Sequence, residues 1–181
     1  MLKEMLENVG IKSPLIHNIT NYVTVNDCAN ILLACGASPI MADDLEEVED
    51  ITSICCGLNI NIGTLNKNTI PSMFVAGKKS NELNHPVLLD PVGVGASKLR
   101  TDTAKELLEK VKFSVIRGNL SEIKSLALGS GNTRGVDSVE YINKENLDTV
   151  IDFTKDFALK NSAITVITSV VDIVTDGKTA Y

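Results

Sequence analysis

Tryptophan is absent from this sequence, and tyrosine and phenylalanine contribute only three and four residues. A surface that binds single-stranded nucleic acid by stacking bases on aromatic rings is therefore excluded. Positive charge is scarce as well: 17 Lys and Arg stand against 23 Asp and Glu, for a net charge of −6. The sequence has neither a basic nucleic-acid footprint nor a polybasic membrane patch. No apolar run approaches the roughly 20 residues that span a bilayer. The opening Met1-Leu2-Lys3-Glu4-Met5-Leu6-Glu7 is amphipathic and partly acidic, unlike a signal peptide. Cysteine occurs at 28, 35, 55 and 56, without a C-x-x-C pair or the Cys/His spacing of a zinc site. These cysteines read as small core hydrophobes of a cytoplasmic protein in a reducing compartment.

What is present is ordinary globular composition, 44% hydrophobic and 22% charged over 181 residues, the size of one domain. Val25, Cys28, Ala29, Leu32 and Leu33 recur at helical spacing, which predicts a buried-face helix over 21–35 with Gly36 as its C-cap. Asp43-Asp44-Leu45-Glu46 resembles a capping box opening a helix to about Cys56. Strands are expected at 58–63, 87–90, 113–116, 164–168 and 171–175, and helices at 66–84, 102–110, 120–128 and 144–159. Pro71 is tolerable only in the first turn of its helix. Asp176-Gly177 reads as a hairpin-type turn. The strands are short and apolar without alternation, so the fold class is α/β, a mostly parallel sheet flanked by helices.

In such sheets ligands bind where loops leave the carboxyl ends of the strands. Four successive strand ends carry Gly, a hydroxyl or a charge: Gly63-Thr64, Asp90-Pro91-Val92-Gly93-Val94-Gly95-Ala96-Ser97, Arg117-Gly118-Asn119-Leu120-Ser121-Glu122 and Thr168-Ser169. Asp90 can hold a hard cation or its waters. The glycines after it either serve turns or let backbone approach a phosphate. Arg117 can fork onto phosphate oxygens, or it can simply pair with Glu122. Two carboxylates and one arginine on one rim suit Mg-nucleotide chemistry. The segment His17-Asn18-Ile19-Thr20-Asn21-Tyr22-Val23-Thr24 either caps the next helix or lines a small polar pocket. His17 reads as a base or, more simply, as a histidine holding backbone; His85 is given no role.

Taken together, these stretches resemble the hydroxyethylthiazole kinases: residues 14–44, LNINIGTL (58–65), PVLLDPVGVGAS (86–97), IRGNLSEI (116–123), GVD (135–137) and VITSVVDIVTDG (166–177). The resemblance covers nearly the whole chain. It implies a ribokinase-like fold and a homotrimer with sites between subunits. It also implies transfer of the ATP γ-phosphate to the primary alcohol of 4-methyl-5-(2-hydroxyethyl)thiazole in thiamine salvage, with Mg²⁺. By that resemblance Asn21, Val23 and Met41 fall on thiazole-pocket positions, Arg117 and Thr168 on ATP-contact positions, and Asp90 and Glu122 on acidic positions near Mg²⁺. The HNITNYV and GASPIMADD stretches favour the thiazole enzyme over related hydroxymethylpyrimidine kinases or hydrate dehydratases.

Two departures from the family pattern stand out. Ser169 occupies a position where many relatives have Gly. The family's later Gly-Thr-Gly-Cys segment, which supplies an anion hole and the catalytic Cys, lies beyond residue 181. The resemblance thus implies a single kinase domain over 1–181, incomplete at its C-terminus and inactive alone. The alternative is a catalytically dead thiazole-binding or assembly protein.

Overall fold

A computed structural model describes residues 2–128 and 142–181; the GVD stretch at 135–137 lies outside them. The chain divides into two compact units, Met1–Val87 and Leu88–Tyr181.

The first unit contains α1 (Leu2–Lys12), β1 (Leu15–Ile19), α2 (Val25–Ala34), β2 (Ser38–Met41), α3 (Val48–Ile54), β3 (Gly57–Asn61) and α4 (Thr69–Glu82). Its strands run parallel in the order β2-β1-β3. Ile19, Val48, Leu58, Ile60, Met73 and Ala76 form its core. The sequence reading overlooked α1, β1 and β2. β1 places His17 and Asn18 at its centre, and β2 contains Pro39, so neither is a continuous apolar run. Proline lacks the N–H of a ladder, and it is accommodated here because β2 is the edge strand. In α4, Pro71 is the third residue, within the first turn, where no intrahelical N–H is needed.

α2 corrects one expectation. It covers 25–34 rather than 21–35, and none of its residues is buried. Ile31 and Leu33 are 61% and 57% exposed. The apolar spacing is real, and Val25, Cys28, Ala29 and Leu32 on the face it marks are half-buried rather than fully buried, while Leu33 at its edge and Ile31 outside it are exposed. Cys35 and Cys56 are exposed, which corrects the expectation of four core cysteines, whereas Cys55 is buried and Cys28 half-buried. The C-cap is as expected: Gly36 donates to Leu33 O and Ala37 to Leu32 O, both at 2.9 Å. Gly36 has φ +90, and a Cβ there would come within 2.8 Å of Gly10 Cα. The capping box at 43–46 does not open a helix directly. Asp44 Oδ1 accepts the Glu46 N–H, making a turn, and α3 begins only at Val48.

The second unit contains β4 (Val87–Asp90), α5 (Lys98–Lys110), β5 (Val115–Asn119), α6 (Leu120–Leu128), α7 (Leu147–Asn161), β6 (Ile164–Thr168) and β7 (Ile173–Thr175). β4, β5 and β6 are parallel neighbours, and β7 joins β6 antiparallel. Leu89, Leu107, Ile116, Ile123, Ala158 and Ile167 are its buried centre. α5 starts four residues before the expected 102, because Ser97 caps it by accepting the Arg100 N–H. β5 is displaced from 113–116 to 115–119, so Arg117 is a strand residue rather than part of a loop. The Asp176-Gly177 turn forms, with Asp176 Oδ1 accepting the Lys178 and Thr179 N–H groups at 2.9 and 2.8 Å. These bonds hold the Asp176 carboxyl below its ordinary pKa.

Candidate functional site

In the first unit, parallel pairing sets Met41, Asn18 and Asn59 level with one another near the carboxyl ends of β2, β1 and β3. Met41, a predicted thiazole contact, closes β2 and is 36% exposed, not the buried strand-end residue that its hydropathy suggests. Asn59 Nδ2 donates to Asn18 Oδ1 at 3.2 Å, and Cys28 Sγ donates to the same oxygen at 3.6 Å. Burial pushes the Cys28 thiol pKa up.

The residues after β1 form a turn held by side chains. Asn21 Oδ1 accepts the Val23 and Thr24 N–H groups at 3.1 and 3.0 Å and the Thr24 hydroxyl at 3.2 Å. This is the helix-entry role that the sequence offers for the segment. It leaves Val23, 76% exposed, projecting from the surface of the unit. Asn21 and Val23 therefore sit on one side-chain-braced turn.

His17 is fully buried. Its Nε2 lies 2.8 Å from Ala42 O, which only accepts, so Nε2 carries the proton. Nδ1 lies 2.9 Å from the Thr52 hydroxyl, which also reaches Val48 O at 2.6 Å. Burial lowers the His17 pKa, against smaller opposing contributions from the Ala42 carbonyl and Glu47. His17 thus ties β1 to the exit of β2 and to α3, the backbone-holding reading rather than the base.

In the second unit, three strand ends carry the predicted nucleotide and metal residues. Leu89 pairs with Ile116, which sets Asp90 level with Arg117, and Asn119 pairs with Thr168. Arg117 Nη1 lies 3.3 Å from Asp90 Oδ2, with the arginine 47% and the aspartate 16% exposed. Arg117 therefore pairs with Asp90 and not, as the spacing also allowed, with Glu122. The Thr168 hydroxyl reaches Gly118 O only at 3.5 Å, a weak bond that leaves it available.

Glu122, at the start of α6, is engaged by backbone. Its Oε1 accepts the Gly93 N–H and its Oε2 the Asn119 N–H, each at 2.8 Å. The glycine loop is correspondingly occupied with itself. Gly95 N–H goes to the Thr101 hydroxyl, Val94 N–H to Pro91 O and Ala96 N–H to Gly93 O. Gly93 and Gly95 have φ +70 and +91, and a Cβ on either would collide with Arg100 or Ser125. In this structure these four amides are spent within the protein, and the glycines serve the turn, the simpler of the two sequence readings of the loop.

Among the described residues, no group of three or more His, Cys, Asp and Glu is arranged to hold a metal ion. Asp90 and Glu122 are hard oxygen donors of the type Mg²⁺ takes, and Mg²⁺ ordinarily completes its shell with water and phosphate oxygens. Among these residues, too, no helix is long and apolar enough to cross a membrane. The Glu122–Gly93 bond escaped the sequence reading, since nothing in the spacing ties a helix start to a loop before the preceding helix.

Comparison with known proteins gives a consistent picture. The profile of the hydroxyethylthiazole kinase family matches residues 6–181. A hydroxyethylthiazole kinase of Clostridium acetobutylicum is 67% identical over 183 residues, covering all of this chain and 67% of its own length. The solved structure of a hydroxyethylthiazole kinase protein from Pyrococcus horikoshii OT3 superposes with a TM-score of 0.85 at 38% identity, covering 98% of this chain and 64% of that one. An adenosine kinase from Schistosoma mansoni, at 13% identity and a TM-score of 0.54, shares the fold alone, in keeping with the ribokinase-like expectation. The chain spans about two thirds of the length of the curated relatives it matches.

Proposed function

The chain belongs to the hydroxyethylthiazole kinase family, and from that premise we propose that it carries out, within its whole protein, the ATP- and Mg²⁺-dependent phosphorylation of the primary alcohol of 4-methyl-5-(2-hydroxyethyl)thiazole in thiamine salvage. The observation that carries the nucleotide half of this reading is the Asp90–Arg117 pair at 3.3 Å on neighbouring parallel strands. Arg117 exchanges its exposed contact with Asp90 for phosphate oxygens, which the planar guanidinium fits in a bidentate manner. Asp90, released from the arginine, and Glu122, through the remaining lone pairs of its carboxylate, hold Mg²⁺ or its waters. Bound Mg²⁺ supplies charge neutralisation for the transferring phosphoryl group. Thr168 offers its hydroxyl to the nucleotide.

The thiazole half rests on Asn21, Val23 and Met41. The polarizable thioether of Met41, 36% exposed at the end of β2, suits packing on a heteroaromatic ring. The residues thus position and neutralise, which is most of what phosphoryl transfer requires of a protein. Ile31 and Leu33, apolar and exposed on α2, support assembly as a homotrimer.

Equilibrium titration of the chain with Mg-ATP, with the thiazole alcohol and with a hydroxymethylpyrimidine alcohol tests the reading. Binding of the first two and rejection of the third is expected; preference for the pyrimidine would overturn it.

A further inference from the structure

The amide of Asn21 has a fixed orientation, and the structure says which way round it is. An Asn side chain offers one acceptor oxygen and two N–H donors. The atom of Asn21 that faces the start of α2 meets the Val23 and Thr24 backbone N–H groups at 3.1 and 3.0 Å. Backbone N–H groups only donate, so that atom is oxygen, and its lone pairs are taken up. The nitrogen then points to Asn61, whose Oδ1 lies 3.2 Å away. That same Asn61 oxygen accepts the Gly63 N–H at 2.9 Å, which fixes the second amide in turn.

The lock is tight. Asn61 is 8% exposed. Gly63 packs so closely that a Cβ there would lie 3.0 Å from both Asn21 Cβ and Asn61 Oδ1. One residue on, the Thr64 hydroxyl accepts the Tyr22 N–H at 3.2 Å. Turning the Asn21 amide over would set N–H groups against the Val23 and Thr24 N–H groups and bring its oxygen against the Asn61 oxygen. Among the described residues, one Nδ2 hydrogen of Asn21 is left without a partner, on a half-buried side chain at the carboxyl end of the strands.

We infer that Asn61 is a positioning residue that sets the hydrogen-bonding sense of the pocket: it holds Asn21 with only an N–H to offer, so the pocket selects an aromatic ring that carries an acceptor nitrogen. The inference rests on the proposed contact between Asn21 and the thiazole. The thiazole ring nitrogen is such an acceptor, and the ring has no N–H of its own. A ring that presents a donor at that position meets another donor and is rejected.

The test is calorimetric titration with the thiazole alcohol and with its thiophene analogue, in which C–H replaces the ring nitrogen. One net hydrogen bond corresponds to about tenfold in affinity. The wild-type chain is expected to prefer the thiazole by about that factor. Asn61→Leu is expected to lose the preference, binding both compounds as the wild type binds the thiophene. Asn61→Asp keeps an oxygen for both N–H groups and is expected to retain it. Asn21→Asp, which keeps the helix-facing oxygen but has no N–H, is expected to lose the preference whether or not Asn61→Leu folds. Equal wild-type affinity for the two compounds overturns the inference, as does an Asn61→Leu chain that still discriminates.

The lock itself is read without ligand from the Asn21 side-chain amide resonances. The N–H that faces Asn61 is expected to exchange with solvent more slowly than its geminal partner in the wild type, and the two to exchange alike in Asn61→Leu. Equal, rapid exchange of both in the wild type overturns the lock. A wild-type chain with a locked amide that binds neither compound instead overturns the thiazole reading, and the selectivity claim with it.

Discussion

The carboxylate of Glu122 accepts the backbone N–H of Gly93 at 2.8 Å, although 29 residues separate them. With its other oxygen on the Asn119 N–H, Glu122 joins the loop after Asp90 to the end of the strand that carries Arg117. One side chain therefore couples the carboxylate and the arginine proposed to handle Mg-ATP.

Replacing Glu122 should loosen that coupling. Hydrogen bonds to charged groups contribute about 1.5–3 kcal/mol each at most. Glu122→Gln retains one acceptor oxygen and is expected to cost about 1–2 kcal/mol, and Glu122→Ala more. In a domain of this size 1 kcal/mol lowers Tm by about 2–4 °C. Thermal unfolding of both variants reads the effect. Unchanged Tm in Glu122→Ala would mean that the loop is held by its own bonds together with those to Thr101 and from the Arg100 guanidinium to Val92 O.

Arg117 should behave in the opposite way. Its pair with Asp90 is about half exposed on the arginine side, 47%, and such pairs contribute at most about 1 kcal/mol. Arg117→Ala is expected to leave Tm nearly unchanged and to weaken ATP binding by tenfold or more, with Arg117→Lys intermediate because an ammonium cannot fork. Displacement of a fluorescent nucleotide measures it. Equal ATP affinity in wild type and Arg117→Ala would remove this residue from the nucleotide site.

His17 should make stability depend on pH. Burial lowers its folded-state pKa below the ordinary 6.5. Between the two values the unfolded chain binds more protons than the folded one, so stability rises with pH. This contribution is fully present above about pH 6.5 and is lost as pH falls toward the depressed folded value. Urea midpoints of wild type should therefore drop on acidification through that window, and His17→Gln should lose that component of the slope while being less stable throughout. A slope unchanged by the substitution would contradict the burial of an uncharged imidazole.

The adjacent pair Cys55 and Cys56 should divide sharply in reactivity. Cys55 is 4% exposed, and burial raises its thiol pKa, with the neighbouring Cys56 adding to the effect. Cys56 is exposed. Brief alkylation of the native chain followed by peptide mass spectrometry should find Cys56 modified and Cys55 protected until denaturant is added. Equal labelling of both would mean that the end of α3 opens readily.

The sequence made some of this legible and hid the rest for identifiable reasons. Apolar strands such as 87–90 and 164–168 were found with their bounds because short hydrophobic runs bounded by turn residues mark strands, although alternate residues of both are half-buried or exposed rather than buried on both faces. β1 and β2 were missed because His17, Asn18 and Pro39 interrupt that signal. The polar strand ends were visible as a pattern: Asp90 and Thr168 do close the strands on either side of β5, whereas Arg117 lies at the middle of β5, level with Asp90. The partners were not visible. That Arg117 would take Asp90 rather than Glu122, and that Glu122 would take the Gly93 amide, depends on strand register and on where α6 begins. The helical period of α2 identified an apolar face correctly but could not say that this chain covers it only in part. Buried Asn61, which orients Asn21, carried no signal beyond an asparagine at a strand end.

The most direct test of the central claim is phosphate transfer itself. A protein carrying this chain is incubated with ATP labelled in the γ-phosphate, Mg²⁺ and 4-methyl-5-(2-hydroxyethyl)thiazole, and the thiazole phosphate ester is quantified by mass spectrometry. Label is expected on the alcohol oxygen, with dependence on both Mg²⁺ and the thiazole and a loss of at least tenfold in rate in Asp90→Asn, from the charge that this carboxylate contributes at the metal. Transfer that proceeds at the wild-type rate in Asp90→Asn, or label that passes to a pyrimidine alcohol in preference to the thiazole, would contradict that claim.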